Sequence, residues 1–206
     1  GADVRAGNYY ALLTNGRGGM SQVRVAWSTV DSQYDALLAA NLHPAYPVDR
    51  RVLFTRCRAW LVCRGYSQEI DADCLEAFWQ DDGSRARWRF AVPMGGGALV
   101  GLDVALTMVP GQNTIQLAFR RRPSARQRDC FPDSRSVDLV LRPDIEDRCC
   151  HEITRACAGA EEQWPRAIAA RADGFRFSPP GGSVLDLHAS RGEFVAEPEW
   201  MYMVTH

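Results

Sequence analysis

Polar and apolar residues alternate along this chain in short runs separated by Gly, Pro, Asn and Asp. Residues 22–27, Gln-Val-Arg-Val-Ala-Trp, have the two-residue period of a half-buried strand. Residues 52–62 read similarly, with Arg56 and Arg58 interrupting one face, and residues 88–92 predict another strand ended by Pro93 and a triple glycine. The clearest element is a hairpin. Val100, Leu102, Val104, Leu106 and Met108 mark one face of its first arm, and Ile115, Leu117 and Phe119 one face of its return. Between them Pro110-Gly111-Gln112-Asn113 supplies the preset φ and the permissive Gly of a turn. Residues 137–141 predict a strand stopped by Pro143, and later strands fall at 174–177, 184–188 and around 200–204. Helical periodicity is weak, with short helices expected only over 152–157 and 165–172, Pro165 serving as a first helical residue. The pattern predicts an all-β protein of antiparallel sheets packed face to face.

Length and charge narrow the picture. With 206 residues the chain fits one large β domain spanning 1–206 better than two small ones. A formal net charge of −1 argues against bulk electrostatic attraction to nucleic acid or an anionic membrane. All 24 basic residues are Arg, which points to genome composition before selection for bidentate contacts. Seven scattered Cys, an odd number with Cys149 and Cys150 adjacent, predict reduced thiols and a cytoplasmic location. The start at Gly1 suggests a processed end or an expression remnant. The apolar stop at residues 201–206 suggests that the polypeptide continued.

Several segments carry candidate chemistry. Thr14-Asn15-Gly16-Arg17-Gly18-Gly19-Met20 allows close backbone approach, and Asn15 and Arg17 can hydrogen-bond an oxygen-rich ligand. It lacks the ending of a phosphate loop, and a glycine-rich turn is the favoured reading. Residues 142–148 hold Arg142, Asp144, Glu146, Asp147 and Arg148 directly after a strand. Paired carboxylates can cleave glycosides at ~5–10 Å separation, but a mutually neutralising loop network is favoured. Cys149-Cys150-His151 with Cys157 matches no standard zinc spacing, so no metal or cofactor is expected. Arg120, Arg121, Arg122, Arg126 and Arg128 read as a solvated hairpin exit rather than a phosphate site. Trp200 beside Glu197 and Glu199 is either a sugar-stacking residue or a core Trp of a last strand.

Residues 8–20 (Asn-Tyr-Tyr-Ala-Leu-Leu-Thr-Asn-Gly-Arg-Gly-Gly-Met), 34–47, 142–148 and Glu197-Pro198-Glu199-Trp200, in this order, resemble the amino-terminal domain of bacterial glycogen debranching enzymes of the amylo-α-1,6-glucosidase type. The resemblance implies an antiparallel β super-sandwich, galactose-mutarotase-like, with few short helices, preceding an (α/α)-barrel catalytic domain. The acids that hydrolyse α-1,6 branches belong to that barrel, so no catalytic residue carries over. What carries over is a ligand-binding or interdomain role for Asn15, Gly16, Arg17, Gly18, Gly19, Arg142, Asp144, Glu146, Arg148 and Trp200. The leading expectation is therefore a non-catalytic accessory domain that packs on the barrel and contacts an α-glucan. A free-standing sugar mutarotase would need a base and an acid across the ring, with His151 or His188 and Glu146 as its candidates. A stand-alone carbohydrate-binding module is the third possibility.

Overall fold

The computed structural model describes residues 8–43, 45, 49–124, 130–155 and 159–202. Three antiparallel sheets account for about half of them. The first is ordered β1 (Tyr10–Thr14), β2 (Met20–Arg24), β3 (Ala36–Asn41), β4 (Arg50–Cys63) and β10 (Asp138–Cys149), with β5 (Tyr66–Glu69) also paired to β4. The second runs β6 (Leu75–Gln80), β7 (Arg85–Pro93), β8 (Leu99–Met108), β9 (Ile115–Arg121). The third is the small sheet β11 (Ile168–Arg171), β12 (Gly174–Phe177), β13 (Leu185–His188), preceded by the helix α1 (Ala160–Arg166).

Alternation explains the central hairpins. In β7 the residues Ala86, Trp88, Phe90 and Val92 are buried, and in β8 Val100, Leu102, Val104, Leu106 and Met108, while their neighbours face outward. Register places Trp88 opposite Val104 and Phe90 opposite Leu102, so one apolar face is continuous across the pair. The first sheet supplies the facing layer, with Ala11, Leu13, Leu37, Cys57, Ala59 and Leu61 in the same buried cluster. Trp27 seals the two layers. Its ring meets Trp88 edge-on at 5.1 Å and reaches Phe90 and Phe119 at 6.2 and 6.4 Å. The Trp88 indole N–H donates to the Val25 carbonyl at 3.0 Å, so this buried ring keeps its polar atom satisfied, whereas the buried Trp27 Nε1 has no hydrogen-bond partner among the described residues. Phe175, Phe177 and Leu185 of the small sheet join this core, and the two large sheets make a sandwich-like arrangement.

Four expectations are corrected. Residues 142–148 are not a loop after a strand but the second half of β10, and Pro143 lies inside that strand opposite Cys57. Among the described residues β10 pairs only with β4, and an edge strand tolerates a residue without a backbone N–H. The 152–157 helix does not form over 152–155, and residues 156–157 lie outside the described residues. Pro165 is not the first residue of its helix but the sixth of seven, and residues 168–171 that follow are β11. The short helix still follows charge logic, with Glu161 and Glu162 in its first turn and Arg166 in its last. Residues 200–202 form no strand, and 203–204 lie outside the described residues. No helix among the described residues is long and apolar enough to cross a membrane.

Candidate functional site

The glycine-rich segment is the loop joining β1 to β2, and its hydrogen bonds are internal. Asn15 is 4% exposed. Its Oδ1 accepts from the backbone N–H of Arg17 at 2.8 Å and of Gly19 at 3.0 Å. Its Nδ2 donates to the Gln112 carbonyl at 2.9 Å and to Asn113 Oδ1 at 3.2 Å, on the turn between β8 and β9. The Gly111 N–H returns a bond to the Asn15 carbonyl at 2.8 Å. Asn41 Nδ2 donates to the Arg17 carbonyl and Arg50 Nε to the Gly18 carbonyl. Gly16 adopts a φ of 75° and Gly18 a φ of 88°, which the tight loop requires. The loop is a clasp between the two large sheets, and Arg17, with one long 3.4 Å bond to the Gly111 carbonyl, is its exposed cation.

The charged residues of β10 sit on a ribbon made with β4. Asp144 is clamped by Arg56 at 2.5 Å and Arg58 at 2.8 Å. Glu146 pairs with Arg148 and accepts from Thr154. Asp147 pairs with Arg51 at 2.6 Å and accepts the Ser183 N–H at 2.7 Å, which fastens the small sheet to the ribbon. Each carboxylate from 144 to 147 is thus occupied by a guanidinium. Beneath them Cys57 faces the core, and burial, helped by the Asp144 charge, pushes its thiol up to about 12. That sulfur is a packing group, not a nucleophile.

Trp200 lies in an extended carboxyl-terminal segment that crosses the same ribbon. Its ring packs on Trp164 at 5.7 Å, and Trp164 in turn meets Phe177 edge-on at 5.7 Å. Arg142 holds this segment through Glu199 at 3.0 Å, and Arg56 touches Met201 Sδ at 3.5 Å. The structure therefore brings Arg142, Asp144 and Trp200 to one region, joins Glu146 to Arg148 farther along β10, and ties Asn15–Gly19 to a different set of neighbours.

Beside this network Leu139, Val140 and Leu141 stand 37%, 44% and 40% exposed in succession at the start of β10. Alternation alone conceals such a run, since all three sit in an apparently ordinary apolar strand. A second feature exists only in the folded chain. Gln33, His151, Glu152, Ile153 and Arg155 line an open depression, with Tyr34 at its side. Tyr34 belongs to the 34–47 stretch and His151 was a candidate base, but only folding unites them. Neither His151 nor His188 touches Glu146. His151 Nδ1 lies 3.4 Å from the Tyr34 hydroxyl, and His188 Nδ1 lies 3.1 Å from Asp173. Among the described residues no group of three or more His, Cys, Asp or Glu is arranged to hold a metal ion.

The family model for the glycogen debranching enzyme N terminal matches residues 11–206. No curated protein and no solved structure matches the chain.

Proposed function

The chain belongs to the glycogen debranching enzyme N-terminal family, and from that premise we propose that it is a non-catalytic accessory domain of a cytoplasmic glycoside hydrolase acting on α-1,6 branches in glycogen catabolism. Its 206 residues act as one domain that packs against an (α/α)-barrel catalytic partner. The observation that carries this reading is the apolar run Leu139–Leu141 on an edge strand. Leu139 and Leu141 pair with Leu61 and Ala59 and prolong their core-facing side, whereas Val140 pairs with Trp60 on the other face. An edge strand that is apolar on both faces invites association unless something covers it. Its exposed part is on the order of 200 Å², worth about 5 kcal/mol if fully buried at ~25 cal/mol per Å². The segment held by Arg142 and Arg56 leaves Met201 and Tyr202 exposed near this ribbon, which supports a partner at the same place. The occupied carboxylates of β10 support a structural, not a bond-cleaving, role for Asp144 and Glu146.

The test is association with the catalytic region of the parent enzyme, supplied as a separate chain. Co-purification that is lost in the Leu139→Glu, Leu141→Glu double variant supports the reading, with circular dichroism as the folding control. Wild-type binding that the double variant retains moves docking elsewhere. Branch hydrolysis or glucose anomerisation by the 206-residue chain alone, lost in Glu146→Gln or His151→Ala, replaces the reading with a catalytic one.

A further inference from the structure

We infer that the depression between Gln33–Tyr34 and the His151–Arg155 segment is a binding subsite for a neutral α-glucan chain. The inference takes its ligand class from the proposed function and its position from the geometry here.

The depression joins an aromatic corner to uncommitted polar groups. The Tyr34 ring, 42% exposed, meets the His151 ring at 5.8 Å and 76°, and its hydroxyl lies 3.4 Å from His151 Nδ1. The contact restrains both rings and leaves apolar ring surface toward solvent. Gln33, Glu152 and Arg155 line the same hollow, and among the described residues no hydrogen bond or ion pair engages their side chains. An amide, a carboxylate and a guanidinium together offer donors and acceptors in the mixture that vicinal hydroxyls require. Ile153 adds an apolar contact for the C–H face of a ring.

Both walls are fixed from below by one cation. Arg148, 4% exposed, donates to the Gln33 carbonyl at 2.7 Å and to the Glu152 carbonyl at 2.8 Å. Glu146 neutralises that guanidinium, and Thr154 holds Glu146 in turn. The two walls are separated by more than a hundred residues of sequence, yet their spacing is set by a single planar group. Preorganisation of this kind lowers the ordering cost of a weak polar ligand.

Charge selects the ligand class. Glu152 and Arg155 cancel, so the hollow offers no net field to a phosphate or a carboxylate, which disfavours anions and suits an uncharged polyol. Glu152 is also the only acid among the described residues of the lining, and glycoside cleavage takes two carboxyl groups at a set separation. The site is built to hold a glucan, not to cut it.

The experiment is affinity electrophoresis and calorimetry of the folded chain with maltoheptaose, with a β-1,4-linked glucan oligomer as the comparison ligand. Wild-type protein binds maltoheptaose. Tyr34→Ala weakens binding about tenfold, Tyr34→Phe retains it, and Glu152→Gln weakens it severalfold. No retention of the wild type, equal retention by the β-linked glucan, or indifference to Tyr34→Ala overturns the assignment. The docking assay is independent of sugar, so its failure removes the proposed partner surface and leaves this measurement standing, and the reverse also holds.

Discussion

The clasp at Asn15 makes a quantitative prediction about Asn15 and Gly19, which are joined by the bond from the Gly19 N–H to the Asn15 side-chain oxygen. Gly19 lies beneath the Asn15 amide, and a Cβ there would come within 2.5 Å of Asn15 Nδ2 and 2.9 Å of Asn113 Oδ1. Gly19→Ala therefore must displace the amide that bridges the β1–β2 loop to the β8–β9 turn. Asn15→Ala removes the same bridge directly, with four hydrogen bonds lost. The two acceptors on the far turn are exposed and regain water. The Gly19 N–H is buried and does not, so the loss is dominated by one unsatisfied donor and is about 2–3 kcal/mol. Gly19→Ala alone costs about 2 kcal/mol by the same displacement plus crowding. Because the second change pushes against a group that the first has deleted, the double variant costs about 3 kcal/mol rather than the sum, a coupling of about 1–2 kcal/mol. Urea unfolding of the four proteins with a shared m-value measures it. Additivity within about 0.5 kcal/mol refutes the clasp as the link between the sheets.

Three further outcomes follow from the same contacts. Arg148→Met leaves Glu146 without its guanidinium and two carbonyls without donors, so it lowers stability by about 3 kcal/mol and, in the calorimetric assay, weakens maltoheptaose binding without touching sugar. Cys57 and Cys74 have thiols raised by burial to about 12 and about 11, so the folded state holds protons that the unfolded state releases above about 9. Stability is full below pH 9 and falls as pH rises toward 12, and Cys57→Ala, Cys74→Ala flattens that slope in alkaline melts. Trp200→Ala exposes the carboxyl-terminal segment to limited proteolysis more than Arg142→Ala does, since a stacked indole outweighs a surface ion pair of about 0–1 kcal/mol.

What was legible in the sequence follows from which strands have one wet face. β7 and β8 alternate visibly because one side of each meets the core and the other meets solvent, and the predicted hairpin turn stands where expected. β3 is Ala-Leu-Leu-Ala-Ala-Asn, with its first five residues buried, so it shows no period of two and resembles a helix in composition. Its strand state comes from β2 and β4 on either side, which no local pattern reveals. Pro143 misleads for the opposite reason. Its meaning depends on whether a neighbour needs its missing N–H, and that is settled by sheet order. The Asn15–Gly19 turn was legible as a turn, because glycine signals backbone geometry directly, but its hydrogen-bonded mate at residues 111–113 was not. Gln33 and Glu152 are ordinary polar residues in the sequence. They acquire a shared role only through Arg148, whose long side chain reports nothing about its partners until the fold places them.

The proposed docking surface and the proposed glucan subsite share one strand. Val140 and Arg148 are eight residues apart in β10, about 25 Å along an extended chain at ~3.3 Å per residue, shortened locally by the register breaks around Ile145. β4 pairs with this strand from Asp138 to Ile145 and again at Arg148 and Cys149, and the cross-strand ion pairs of Asp144 with Arg56 and Arg58 and of Asp147 with Arg51 hold it on both sides of the register break. A glucan held over Arg148 and a partner seated on Leu139–Leu141 would therefore be separated by a stiff spacer rather than by a hinge. The density of arginine–carboxylate pairs on this ribbon then has a mechanical reading. Single exposed pairs add little stability, but the cross-strand clamps at Asp144 and Asp147 keep this strand from fraying on a side where, among the described residues, no outer strand pairs with it.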